Sequence, residues 1–136
     1  MRPISITRFA ILYAAGIALG AGSTLLHWSA IRAALASASR PGFLATLLAL
    51  CGLSVPLLLL WLIAARGSDG ARWLALLLLA LGVALLLFGA ARGTYRWDAA
   101  GLLGAGRLAL HCLALAFTFR PDARAWLAPG RRLESA

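Results

Sequence analysis

Residues 41–65 read PGFLATLLALCGLSVPLLLLWLIAA, and none of them carries a charge. A helix rises about 1.5 Å per residue, so roughly 20 residues cross the ~30 Å hydrocarbon core of a bilayer. This run is long enough to span with some tilt. Pro41 suits a first helical turn, where its missing N–H is not needed. Pro56 removes the bond to the carbonyl of Gly52, which predicts a kink inside the run.

Working outward, three further runs have the same character. After the seven-residue turn RGSDGAR comes 73–91, uncharged and rich in leucine, and the span best suited to face lipid. Before it all lies 9–28, also uncharged. Beyond the turn RGTYRWD lies 99–119. The expected fold is therefore all-α: a four-helix transmembrane bundle with short loops. It forms one integral membrane domain over residues 1–136, with a basic tail at 120–136. Composition agrees. The 136 residues are 62% hydrophobic and 12% charged, with mean hydropathy +0.90, against about 25% charged residues in soluble domains.

All thirteen basic residues are arginine, set against only four acids, for a net charge of +9. Most sit in the breaks between apolar runs, as headgroup anchors do, and form no contiguous nucleic-acid patch. The lipid bilayer with its anionic headgroups is the expected partner, and nucleic acid is not. With the N-terminus inside, the inner segments hold Arg2, Arg8, Arg66, Arg72, Arg120, Arg124, Arg131 and Arg132. The outer loops hold Arg32, Arg40, Arg92 and Arg96. Eight against four favours N-in and C-in. Trp28 and Trp97 then mark the outer boundary, and Trp61, Trp73 and Trp126 the inner one. In the tail, Pro121 stops the fourth helix. Residues 122–127 are placed to lie on the membrane through Trp126 and Leu127, with Pro129 and Gly130 ending that element. Each tail arginine near anionic lipid adds about 1 kcal/mol of attraction. Arginine without lysine, amid much alanine, leucine and glycine, points to a GC-rich coding bias and hence a bacterial inner membrane.

The first run is rich in small residues. Ala10, Ala14, Ala18 and Gly22 repeat every four, and Gly16 and Gly20 form a GxxxG on a neighbouring stripe. Together they are a candidate helix-packing face, because small residues let two backbones approach closely in lipid. The basic start and the AALASAS stretch at 33–39 have the outline of a signal peptide. The apolar run, however, exceeds the usual ~7–15 residues, so a retained helix is expected. Trp28, Ile31 and Leu35 share a face and suggest a short interfacial helix. AARG closes two apolar runs, at 64–67 and 90–93, without matching flanks that would mark a duplication.

Chemistry-bearing residues are few. Arg107 and His111 lie four apart on the fourth run, hence on one face. They sit about 12 and 18 Å below its outer end at ~1.5 Å per residue. An ionisable side chain at such depth is costly and marks a candidate functional site. Three roles are open for the pair: an anion- or headgroup-binding spot; a contact to another protein that supplies a carboxylate; or a structural role. In the last, Arg107 reaches up to the interface and His111 bonds Tyr13, Thr24, Thr46 or Ser54. No carboxylate lies at membrane depth, and no CxxC or Cys/His cluster exists, so Cys51 and Cys112 read as buried small hydrophobes. His27 sits at the outer end of its run, about 15 Å or more from the level of His111, which disfavours a bis-histidine haem within one chain. No catalytic, metal or cofactor site is assigned. The expected function is a non-catalytic membrane protein acting as an accessory or interaction subunit, packed against other membrane subunits or itself. The alternatives are a small homo-oligomeric transporter or channel with Arg107 and His111 in an anion pathway, and an immunity-type membrane protein.

Overall fold

The computed structural model describes residues 3–128. Arg2, Arg131, Arg132 and the stop at Pro129 and Gly130 lie outside the described residues. Among the described residues the chain is all-helical, with α1 (Ile4–Leu26), α2 (Trp28–Ser37), α3 (Phe43–Ala64), α4 (Asp69–Ala91), α5 (Ala99–Phe117) and α6 (Pro121–Leu127). Four of these, α1, α3, α4 and α5, are long and apolar enough to cross a membrane. The chain is a multi-pass membrane protein built as a four-helix bundle. The expected short helix after Trp28 is α2.

Side-chain caps fix the starts of two helices, α4 and α5. Ser68 Oγ accepts the Ala71 N–H at 3.3 Å, so α4 starts at Asp69 instead of Trp73. Asp98 Oδ1 accepts the Gly101 N–H at 2.9 Å and caps α5. Side-chain oxygens at these positions satisfy N–H groups that have no partner within the helix. α1 begins at Ile4 and carries Arg8 inside it, while α5 stops at Phe117. Pro41 is outside α3, one residue before the N-cap Gly42, and its carbonyl accepts the Leu44 N–H at 3.1 Å. The two AARG glycines share one physical role. Gly67 and Gly93 adopt φ +61° and +66°, a left-handed conformation that glycine enters without a Cβ penalty. At Gly93 the geometry is a Schellman stop, with Thr94 N–H on the Gly89 carbonyl at 2.9 Å and Gly93 N–H on the Ala90 carbonyl at 3.0 Å.

α1 and α5 form the principal packed pair, α3 lies against α1, and α4 leans on α3 and α5. Ile6, Phe9, Ile63, Ala114 and Leu115 are almost wholly inaccessible and form the centre of the core at the inner half of the bundle. α4 is the most lipid-exposed span, as its composition suggested: 6% of its most apolar window is buried, against 28% for α1 and for α5.

Both ends of the described chain meet at one face. Ser5 Oγ donates to Asp122 Oδ1 at 2.9 Å, and the Ser5 N–H to Oδ2 at 3.3 Å. The arginine asymmetry predicts this face to be the inner one and the opposite end of the bundle the outer one. The clip corrects the expectation for residues 122–127: α6 is folded up under the bundle, with Ala123 and Leu127 buried among its core residues, not laid on lipid through Leu127. Nearby, Arg72 Nη2 pairs with Asp69 at 2.6 Å, Nη1 donates to the Thr118 carbonyl at 3.4 Å, and the guanidinium lies over the Phe119 ring. Cys51 and Cys112 are also corrected: both are exposed, Cys51 at the edge of a cavity between the long helices.

Candidate functional site

α5 reaches its deepest polar residues where α1 has its barest backbone. The helices run antiparallel, and residues four apart on each are about 6 Å apart along the axis. Gly16 therefore meets His111, and Gly20 meets Arg107. A Cβ at Gly16 would stand 2.5 Å from His111 Cδ2 and 2.7 Å from Nε2. At Gly20 it would stand 2.7 Å from Arg107 Cδ and 3.0 Å from Nη1. The two glycines are seats for two polar side chains, a more specific role than close approach of two backbones.

The rest of the candidate packing face divides. Gly16 and Gly20 are buried, Ala10 and Gly22 half-buried, and Ala14 and Ala18 exposed on the opposite side of α1. The Ala10–Ala14–Ala18–Gly22 stripe is thus not one internal contact. Gly22 touches Leu103 of α5 at 3.7 Å by the same Cβ measure.

His111 is 6% exposed. Its ring stacks on Tyr13 with centroids 4.2 Å apart and planes 18° from parallel. Among the four hydroxyl partners considered from the sequence, Tyr13 is the one the fold brings to His111. Thr24 Oγ1 donates instead to the Gly20 carbonyl at 3.0 Å, and Thr46 and Ser54 occupy exposed positions of α3. Nε2 of His111 and Nε of Arg107 are both buried without a hydrogen-bond partner. The Arg107 carbonyl lies beside Gly16 and its guanidinium beside Gly20, so the side chain runs about one turn toward the outer end of α1 and stops about 9 Å short of Leu26.

Among the described residues no carboxylate answers the Arg107 charge. Asp69 is held by Arg72 and by the Trp73 indole N–H at 3.2 Å. Asp98 caps α5 and lies 3.6 Å from His27 and 3.4 Å from Arg96. Its bond from the Gly101 N–H, with these two neighbours, holds its pKa below the usual carboxylate value. Asp122 belongs to Ser5; desolvation pushes its pKa upward, but the bonds from Ser5 and from backbone N–H groups outweigh this and leave it lowered. Each of the three opens a helix at one end of the bundle, so none is at the depth of Arg107. His27, beside Asp98 at the outer end, is not level with His111. Among the described residues no group of three His, Cys, Asp or Glu is placed to hold a metal.

Two cavities border this charge. One, of about 570 Å³, lies between the four long helices and is walled by Tyr13, Gly20, Pro56, Leu79, Arg107 and His111 among others. The other, of about 540 Å³, lies between α1, α2 and α3 beneath Trp28 and Ile31. Gly20, Thr24, Gly52, Pro56 and Arg107 line both. Comparison with known protein families, curated proteins and solved structures finds no match.

The sequence offered Arg107 and His111 as one feature and the small-residue stripe as another. Their register, glycine for polar side chain, went unread because nothing in the order of the runs says that the first and fourth helices are neighbours. The Ser5–Asp122 clip was missed for the same reason.

Proposed function

We propose that this chain is a non-catalytic membrane protein that binds an anionic group inside its bundle, at Arg107. The observation that carries the proposal is the arginine itself: a permanent charge with a buried, unbonded Nε, on the shared wall of two apolar cavities, with no acid at its depth among the described residues. A charge removed from water is strongly unfavourable unless paired and hydrogen-bonded. An anion entering the cavity supplies both. Arginine presents five donors in a fixed fork suited to carboxylate or phosphate oxygens. His111 adds a further nitrogen one turn inward. The setting that fits the arginine-only basic composition is the inner membrane of a bacterium, with both termini in the cytoplasm.

The test is thermal unfolding of the purified protein in a neutral detergent, with dodecanoate or with dodecanol added. Wild type gains stability from the acid anion over the alcohol, because a ligand that binds only the folded state stabilises it by mass action. Arg107→Gln gains equally little from both. An equal response of wild type to acid and alcohol would refute the proposal.

A second function, as an accessory subunit packed against other membrane proteins, is supported by a different observation. α4 buries little within the chain, and Ala14 and Ala18 present a small-residue surface outward on α1. Mass measurement of the complex extracted in mild detergent tests it, and a lone monomer counts against it.

A further inference from the structure

We infer that the occupant of the four-helix cavity is an amphiphile: a monoanionic oxyacid head held at Arg107, with an apolar tail running inward along α3 and α4. The inference rests on the anion-binding function proposed above and adds the chemical class and orientation of the ligand. Three features of the cavity carry it.

First, the space is long. Along α4 its walls run from Ala75 to Leu86, about 16 Å at ~1.5 Å per residue. Its ≈ 570 Å³ falls in the about 300–1,000 Å³ range of small-molecule sites, far more than a small inorganic anion fills. Second, the space is polarised. Ser23, Thr24 and Tyr95 line its outer part and Arg107 comes next, with His111 and Tyr13 inward of it on the α1–α5 wall, while the facing wall below Arg107 is hydrocarbon from Pro56, Leu59, Ala75, Leu78 and Leu79. Hydroxyls outside, one cation below them and an apolar α3–α4 wall beneath match a molecule oriented as an outer-leaflet lipid is, head outward. A free anion would leave the inner apolar half unused. Third, the guanidinium stands where the cavity beneath α2 joins the four-helix one. An amphiphile arriving from the outer interface beside Trp28 and Ile31 therefore meets Arg107 before it reaches the inner half.

Gly52 provides the test. It borders both cavities, and a Cβ there would meet nothing within 4 Å. A side chain added at this position leaves the backbone without a Cβ collision and borders the junction, which a bulky group there would narrow. Binding is read by native mass spectrometry of the detergent-purified chain with dodecanoate as probe, for wild type, Arg107→Gln, Gly52→Ala and Gly52→Phe. The expected result is one dodecanoate per chain. Affinity falls roughly tenfold or more in Arg107→Gln, from loss of a charge-assisted bond, and by a similar factor in Gly52→Phe. Gly52→Ala, which controls for folding, stays near wild type, and acetate at the same concentration does not compete.

If acetate competes with dodecanoate and Gly52→Phe binds normally, while Arg107→Gln loses binding, the amphiphile inference is overturned and the anion-binding function stands. If Arg107→Gln binds dodecanoate like wild type, both fall. Competition by dilauroyl phosphatidic acid separates the two sources of this head chemistry. Displacement assigns the site to a two-chain lipid and failure to displace assigns it to a single-chain acid, and either result supports the class.

Discussion

Gly16→Ala isolates the seat that α1 makes for His111. The added methyl would lie 2.5 Å from Cδ2 and 2.7 Å from Nε2 of the imidazole, about 1 Å inside the 3.5–4.0 Å at which carbon atoms attract. Tyr13 stacks on one face of the ring at 4.2 Å, so the ring can yield only by leaving that stack for the cavity it lines. Either it does so or the α1–α5 pair spreads, and overpacking of this kind costs about 1–3 kcal/mol. Working against it, alanine is the better helix former by about 0.5–1 kcal/mol. Gly52→Ala has the propensity gain and no collision, because its Cβ position is open. Subtracting one variant from the other cancels propensity and leaves the collision, so Gly16→Ala should be less stable than Gly52→Ala by about 1–3 kcal/mol. Reversible unfolding in mixed micelles, followed by far-ultraviolet circular dichroism, measures this difference. Adding His111→Ala to Gly16→Ala should abolish most of it. Equal stabilities for the two single variants would show that the close register of Gly16 and His111 is not how the helices pack.

At Gly93, φ +66° makes Gly93→Ala cost about 1–2 kcal/mol in the same assay. Gly67→Ala should cost more, since its Cβ would also come within 2.8 Å of the Trp126 carbonyl; equal losses would deny the docking of α6 on that turn. Ser5→Ala should loosen α6 without disturbing the Arg107 site, seen as faster amide exchange over 121–127 and unchanged exchange in α5. The clip also depends on acid. Asp122 has a folded pKa below its ordinary value, so its contribution is fully present above the ordinary value and is lost as pH falls through the folded one. Exchange across α6 should accelerate only below about pH 4, and acceleration near neutrality would point to a different group.

Three of the spans were legible because run length alone decides them: a bilayer leaves no other use for some twenty uncharged residues in sequence, and the fourth, 99–119, reads as a span by its length and apolar composition despite Arg107. Their ends were less so. Arg8 interrupts hydropathy yet sits within α1, and Ser68 sets the start of α4 by donating nothing to hydropathy and accepting one N–H. The cysteines were misplaced because composition says a residue is apolar and not which side of the helix it occupies. Of the candidate site, the shared face of Arg107 and His111 follows from their spacing. That Gly16 and Gly20 receive them depends on which helices are neighbours, a tertiary fact. The cavities are further still from the sequence, being what remains after all four helices have packed.

The Ser5–Asp122 clip and the α1–α5 pair have a consequence for biosynthesis. Of the four spans, α1 is made before the other three and has its main partner in α5, made after them, and loop closure must join positions 117 residues apart. Until α5 is inserted, Gly16 and Gly20 have neither His111 nor Arg107 seated on them. Closure of the α1–α5 pair is thus a late event that waits for all four spans, and a product truncated before residue 99 would leave α1 without the helix it was shaped to hold.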